Sequence, residues 1–343
     1  MNQTRTPAHM NHVADLFSAI SGQPQATELL TQALAHRRIA PAYLFVGPSG
    51  IGKRLTAQRF ALSLLTLPKH VPEGTTEWSI DADNLRQVTQ RSHPDLLWVE
   101  PTYLHQGQRF TVAEAEDAGL KRRSPPQIRL EQVRELTRFL SRPPLKASRS
   151  VVVIDGAETM AEAAANALLK TLEEPGNATL VLISHNSDLL LSTLISRCQR
   201  IPFQRLSLEA MALVLQQTGG EELLKRRDLL ALAQGSPGQA IAALKQWNDL
   251  PEEIIAAVAQ PPATVRQALT IARDVAALEV EAQLWLATYL QQQYYDTESD
   301  PGHQWSANGD RLQTLERARQ QIQRFVQPRL VWEVAFMTLA GAL

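Results

Sequence analysis

The sequence predicts an α/β fold followed by all-helical material, and three observations predict it. Apolar, largely β-branched or aromatic runs stand at 42–46, 96–100, 151–154, 179–183 and 199–203, each separated from the next by helical or loop sequence. That alternation is the pattern of a five-stranded parallel sheet covered by helices on both faces. A glycine-rich loop links the first run to a helix, and beyond Phe203 the strand signals stop.

Val151-Val152-Val153-Ile154 is the central strand, buried on both faces, and it delivers Asp155 at its carboxyl end, where open α/β sheets place ligand chemistry. Residues 161–174 follow as a helix with Leu168, Leu169 and Leu172 on one side, stopped by Pro175-Gly176. After the next strand, 179–183, come Ser184 and His185, then the polar run Ser196-Arg197-Cys198-Gln199-Arg200 and the closing segment Ile201-Pro202-Phe203.

The first strand, Ala42-Tyr43-Leu44-Phe45-Val46, runs into Gly47-Pro48-Ser49-Gly50-Ile51-Gly52-Lys53-Arg54, and a helix is expected over 55–67. Gly, four residues, Gly and Lys between a strand and a helix is the phosphate-loop pattern. Its glycines let backbone N–H groups turn towards phosphates, its lysine neutralises their charge, and the helix N-terminus adds its dipole.

The remaining elements follow in order. Residues 1 to about 12 read as a tail, and 17–23 as a turn before an amphipathic helix over 25–37 with Leu29, Leu30, Ala33 and Leu34 at helical spacing. Residues 68–92 are irregular, with a short helix at 81–91. Residues 101–126 are polar, hold Lys121-Arg122-Arg123 and Pro125-Pro126, and are expected to be a mobile loop. A helix over 128–140 turns Leu130, Val133, Leu136 and Leu140 inward, and Lys146 and Arg149 are expected in solvent. Past Phe203, Ser207 is a candidate N-cap, and helices are expected over 207–214, 221–233 and 239–247. Pro251 and Pro261-Pro262 mark a boundary before two long amphipathic runs at 265–290 and 310–325, joined through 291–296 and 298–309.

Three segments carry a resemblance. Ile154-Asp155-Gly156-Ala157-Glu158-Thr159-Met160, then Ala164-Ala165-Asn166-Ala167-Leu168-Leu169-Lys170-Thr171-Leu172-Glu173-Glu174-Pro175, then Ser196-Arg197-Cys198 resemble, in order, the delta prime subunits of the bacterial DNA polymerase III clamp loader, AAA+ proteins related to gamma/tau. The likeness is strong over about 17–203 and weak beyond about 238. It implies a AAA+ P-loop domain over 1–204, a small helical lid over 205–260 and a helical collar domain over 261–343. It implies gamma/tau and delta subunits as partners, the sliding clamp indirectly, and primer-template DNA through the assembly. It also implies that Arg197 points across an interface into a neighbour's ATP site, a role a guanidinium suits because it stays charged and grips phosphate oxygens in two places. The family's zinc module is not expected, because the insertion at 68–92 has no cysteine and His70 and His93 lack partners at ligand spacing.

The site departs from that of a working ATPase. Arg54 stands where a hydroxyl should hold Mg²⁺, Gly156 stands where a glutamate should position water, and Ser236-Pro237-Gly238-Gln239 carries no second sensor arginine. The expectation is a subunit that does not hydrolyse ATP by itself. The loop residues and Asp155 either hold ATP or ADP or form an empty loop kept for its shape. Ser184 and His185 are first-sensor candidates or plain loop residues, and Cys198 is a small buried residue. The rivals are an autonomous AAA+ ATPase and a divergent gamma/tau-type subunit.

Composition sets outer bounds. The 343 residues are 44% hydrophobic, enough for two or three domains, and a net charge of −1 supplies no global field towards nucleic acid. A single cysteine, a polar start and no long apolar run point to a cytoplasmic chain with neither disulfide nor membrane span.

Overall fold

The computed structural model describes residues 16–68, 80–120, 124–298 and 305–342, without the side chains of 296–298 and 305–308. The expected tail, the segment around His70 and the Lys121-Arg122-Arg123 triplet lie outside the described residues. The chain forms two compact units, Met1–Leu213 and Val214–Leu343.

The strands are β1 (Ala42–Val46), β2 (Leu96–Val99), β3 (Thr102–His105), β4 (Gln108–Thr111), β5 (Ser150–Asp155), β6 (Ala178–Ser184) and β7 (Gln199–Pro202). Five of them make one parallel sheet in the order β2-β5-β6-β1-β7, with each expected strand within a residue of its place. From β1 the chain crosses to the far edge at β2, returns through β5 and β6, and then passes to the other side of β1. The carboxyl end of β1 is therefore next to the point where the strand order reverses, the place such sheets bind ligands.

Alternation along β1 explains the two covered faces. Leu44 joins Val152, Ile154, Leu180 and Leu182 under α5 (Leu130–Leu140) and α6 (Glu162–Glu173), which contribute Val133, Leu136, Leu168 and Leu172. Tyr43 and Phe45 face the other way, onto Phe60 of α2 (Lys53–Thr66), with ring centroids 4.9 and 6.3 Å apart. On that side α1 (Pro24–Ala35) buries Leu30 and Leu34, whereas Leu29 and Ala33 stay half-buried. Each such aliphatic side chain taken out of water stabilises the fold by about 1.5–3 kcal/mol. Asp81 caps α3 (Ala82–Thr89), accepting from the Asp83 N–H at 3.2 Å.

Four expectations need correction in the first unit. Residues 101–126 are not a structureless loop: β3 and β4 pair antiparallel through Gln106 and Gly107. Both turn residues have positive φ, 50° and 81°, which matches the strand twist of a two-residue hairpin. Thr111 and Glu114 then make a capping box for α4 (Val112–Asp117). The helix expected from 128 begins at Leu130; Ile128 bridges Met160 instead, and Leu130 and Leu140 are only half-buried. The surprise on that helix is Gln132, buried because its amide donates to the Glu100 carbonyl at 2.9 Å and its oxygen accepts from the Arg129 N–H at 3.0 Å. Arg149 is not in solvent: it is half-buried and donates to Thr179 Oγ1 at 3.0 Å, and burial holds its pKa down, with Tyr43 opposing.

Ser207, still in the first unit, caps the helix Leu208–Gln217 as expected, its Oγ accepting from the Ala210 N–H at 3.2 Å; Met211 and Leu215 are buried, but Leu208 and Leu213 are exposed. In the second unit, helices pack on helices. The helix expected over 221–233 is broken into a 3₁₀ turn, Glu221–Lys225, and a helix, Arg227–Ala233. Pro237–Asp249 and Glu252–Val258 follow. The run expected over 265–290 is two helices, Val265–Ala276 and Val280–Glu298. Residues 291–296 are thus helix rather than connection: glutamine is a good helix former, and Gln291 reaches the Leu312 carbonyl and Glu316 on the neighbouring helix Trp305–Gln323 at 3.5 and 3.3 Å. Pro328–Leu339 completes the unit, its buried Trp332 donating to Gln283 Oε1 at 2.8 Å.

Candidate functional site

The phosphate loop is held open by its own residue types. A Cβ on Gly47 would come within 2.3 Å of the Phe203 carbonyl oxygen, so only glycine fits there. Gly50 and Gly52 take φ of 75° and 97°, left-handed values that glycine adopts without strain. Gly52 precedes α2 with no side-chain cap, leaving the first N–H groups of the helix facing the loop. Buried Ile51 anchors the loop from beneath, while Ser49 and Gly50 are exposed and Pro48 is half-buried.

Sequence reasoning missed a second anchor. Buried Gln23 donates to the Ile51 carbonyl at 3.2 Å and the Gln204 carbonyl at 2.7 Å, and accepts from the Gln204 N–H at 3.0 Å. It ties the loop to the chain leaving β7. No local pattern marks this residue, because its partners lie 28 and 181 positions away.

Lys53 folds over the loop, donating its Nζ to the carbonyls of Gly47 and Pro48. Burial pulls its ammonium down to about 8, against the opposing charges of Glu158 and Asp155. Beside it, Arg54 Nε lies 2.8 Å from Asp155 Oδ2, and its Nη2 bonds Glu100. Glu100 also takes Arg91 Nη1 at 3.1 Å, and both guanidinium groups lie over Trp98, 5.8 Å (Arg54) and 4.5 Å (Arg91) from its ring centroid. Burial pushes the Asp155 carboxyl above its usual range, and Arg54 opposes that rise.

Gly156 has φ 72°, and a Cβ there would meet Pro101 Cγ at 2.9 Å. A glutamate at this position would be both strained and crowded, so the missing carboxylate is built into the backbone. Glu158, nearly buried, pairs instead with His185 Nδ1. Ser184 is buried and donates to the Asn186 carbonyl at 2.8 Å, and its own carbonyl accepts from the Gly47 N–H at 3.3 Å. On the second unit, Ser236 caps the helix Pro237–Asp249 by accepting from the Gln239 N–H at 3.2 Å.

These residues fit nucleotide phosphates: the loop is free of Cβ atoms at Gly47, Gly50 and Gly52, and Lys53 supplies charge. They do not fit Mg²⁺. The hydroxyl that should bind the metal is replaced by a guanidinium, and that guanidinium sits on Asp155, the carboxylate that should support the metal.

The structure brings Gly47, Pro48, Ser49, Gly50, Ile51, Gly52, Lys53, Arg54 and Asp155 to the carboxyl ends of the strands. Arg197 is towards the amino ends. It precedes β7, whose first residue, Gln199, pairs with Tyr43 near the start of β1, whereas the loop follows the end of β1 at Val46. About 10 Å of strand separates the two levels. Arg197 is exposed; its Nη2 lies 2.9 Å from Glu173 Oε1 and its Nη1 donates to the Thr193 carbonyl at 3.1 Å. Ser196 donates to the same carbonyl at 3.1 Å. Cys198, expected to be buried, is half-buried, and desolvation raises its thiol to about 11, which leaves it protonated at neutral pH.

Comparison with known proteins places the chain. Residues 22–207 match the family described as DNA polymerase III, delta subunit, and residues 209–339 match the cyanobacterial DNA polymerase III delta prime C-terminal domain. DNA polymerase III subunit delta' of Pseudomonas aeruginosa is 36% identical over 219 residues, 62% of this chain and 58% of that protein. The Bacillus subtilis subunit delta' is 33% identical over 190 residues, 55% of this chain and 50% of that protein. The Bacillus subtilis subunit tau is 28% identical over 57% of this chain and 30% of that protein. The chain thus spans between half and three-fifths of the length of these two delta' relatives. With one family match covering more than half of its residues and a second covering most of the rest, the chain belongs to the DNA polymerase III delta prime subunit family, related to gamma/tau.

Proposed function

We propose that this protein is a clamp-loader subunit that lends an arginine to a neighbour and does not hydrolyse ATP itself. In this reading residues 1–204 form the AAA+ module, 205–260 its lid and 261–343 a collar that joins it to gamma/tau and delta subunits. The assembly loads the sliding clamp on primed DNA, and Arg197 completes the ATP site of an adjacent gamma/tau subunit. The loop at Gly47–Arg54 retains ATP or ADP without turning it over.

The observation that carries the reading is the placement of the two arginines. Arg54 fills the metal side of the chain's own site and contacts Asp155, while Arg197 stands towards the opposite, amino-terminal end of the strands. A bound nucleotide would supply phosphate charge for Lys53 and the loop N–H groups to hold. Position 156, where a water-positioning carboxylate would stand, has no side chain, and Glu158 is tied through Oε1 to His185. A guanidinium tethered at a surface by one carboxylate is free to be drawn to a stronger anion.

Two assays test the reading. Purified chain mixed with Mg²⁺ and ATP is expected to release no phosphate above background. Added to gamma/tau and delta subunits, it is expected to complete an assembly that loads the clamp on primed DNA, which the same mixture without it fails to do. Robust turnover by the chain alone, or clamp loading that ignores its omission, would overturn the proposal. An autonomous ATPase is disfavoured by Gly156, since a glutamate there would be strained and would crowd the Pro101 ring.

A further inference from the structure

We infer that Arg54 is a resident cation standing in for the divalent metal, so that the phosphate loop takes a nucleoside diphosphate or triphosphate in its metal-free form. The inference rests on the reading that the loop holds nucleotide.

The geometry is that of a built site. Arg54 follows Lys53 at the start of the helix, the position from which a hydroxyl would reach a metal. Its guanidinium is fixed on the protein side by two carboxylates, with Nε 2.8 Å from Asp155 Oδ2 and Nη2 on Glu100. Arg91 braces the arrangement from behind, bonding both Glu100 oxygens at 3.2 and 3.1 Å and stacking with Arg54 on Trp98. The Arg54 side chain remains 54% exposed, and among the described residues its Nη1 donates to nothing. A planar fork fixed at two nitrogens and free at the third is preorganised to receive a phosphate oxygen.

Geometry decides which form of the nucleotide is favoured. Lys53, Arg54 and Arg91 are matched by Glu100, Asp155 and Glu158, and the place beside Asp155 is already taken by a guanidinium. A divalent ion would have to displace Arg54 from Asp155 and then sit beside it. A metal–nucleotide complex also brings positive charge to where the guanidinium lies, whereas free ADP brings unshielded oxygens that accept charge-assisted hydrogen bonds.

The test is a titration of the full chain with ADP by calorimetry, in EDTA and again in millimolar Mg²⁺, with thermal unfolding run alongside to verify folding. The expected result is binding in EDTA that Mg²⁺ leaves unchanged or weakens by up to about tenfold. Arg54→Met should lose at least about tenfold in EDTA, the loss of one charge-assisted contact. Arg54→Thr should lose as much in EDTA and recover with Mg²⁺. Binding by the native chain that requires Mg²⁺ would overturn the inference while sparing the nucleotide reading, and metal-free binding unaffected by Arg54→Met would remove Arg54 from it. Absence of binding in both buffers would sink the nucleotide reading and this inference together, and leave the role of Arg197 untouched.

Discussion

Arg54 and Arg197 are both solvent-facing arginines held by carboxylates, and the contrast between them defines the molecule. Exposure does not separate them: the Arg54 side chain is 54% exposed and that of Arg197 38%. Tethering does. Arg54 is gripped by Asp155 and Glu100, lies on Trp98 and is braced through Arg91. Among the described residues, Arg197 has one side-chain partner, Glu173, itself 53% exposed, and one backbone carbonyl. An exposed pair of that kind is worth about 0–1 kcal/mol and is readily exchanged. One arginine is therefore part of its own site, and the other is available to a different one.

Several substitutions break or sharpen this contrast. The largest effect is expected from Arg197→Lys in the complex with gamma/tau. Lysine keeps the charge but loses the planar fork, and the partner's ATP turnover should fall by about 10²-fold, a large part of what a finger supplies. Phosphate release by the reconstituted assembly reads this directly, and an unchanged rate would remove the finger. Next is Gly156→Glu, which should cost about 2 kcal/mol of stability from left-handed strain and collision with Pro101, without creating turnover. Urea unfolding measures the loss, and a variant that is both stable and hydrolytic would contradict the built-in absence of a base.

A third effect is set by pH. Phosphate binding favours charged Lys53, whose pKa in the free fold is lowered to about 8 by burial, against Glu158 and Asp155. Below that value the lysine is already protonated and binding needs no proton. Above it, binding must take one up, so ADP affinity should fall about tenfold between pH 7 and 9, by single-proton linkage. Calorimetry in two buffers of different ionisation enthalpy would show the uptake, and a flat profile would mean that Lys53 does not meet the phosphates. The smallest effect is expected from Glu173→Gln, which releases Arg197: stability should change by less than about 0.5 kcal/mol, with partner turnover undiminished. A large loss of stability would show that the pair is structural.

Much of the fold was legible because its signals are local. The apolar runs gave the strands, since a parallel strand buried on both faces has little choice of residue. The phosphate loop was legible for the same reason: its glycines answer to their own φ values and to the Phe203 carbonyl. The hairpin of β3 and β4 was not, because its turn is Gln106-Gly107 rather than a typical pair and its strands are only four residues each. The helix through 291–296 was misread because a polar run looks like a connection until the neighbouring helix supplies partners for it.

At the site, sequence showed what Arg54 replaces but not what it does. Its carboxylates lie 46 and 101 positions away in the chain, and only the return of β2 and β5 to adjacent places in the sheet brings them together. The same holds for Gln23, and for Glu158 with His185, whose pairing depends on neighbouring strand ends.

The most direct test of the central claim sets the two arginines side by side in one assembly. Complexes with gamma/tau are reconstituted with native chain, with Arg197→Ala and with Arg54→Ala, and steady-state ATP hydrolysis is measured at saturating Mg²⁺ and ATP. The account predicts that Arg197→Ala depresses turnover by at least about 10²-fold with assembly intact, while Arg54→Ala leaves it within about twofold. Equal loss from both variants, or loss from Arg54→Ala alone, would contradict it.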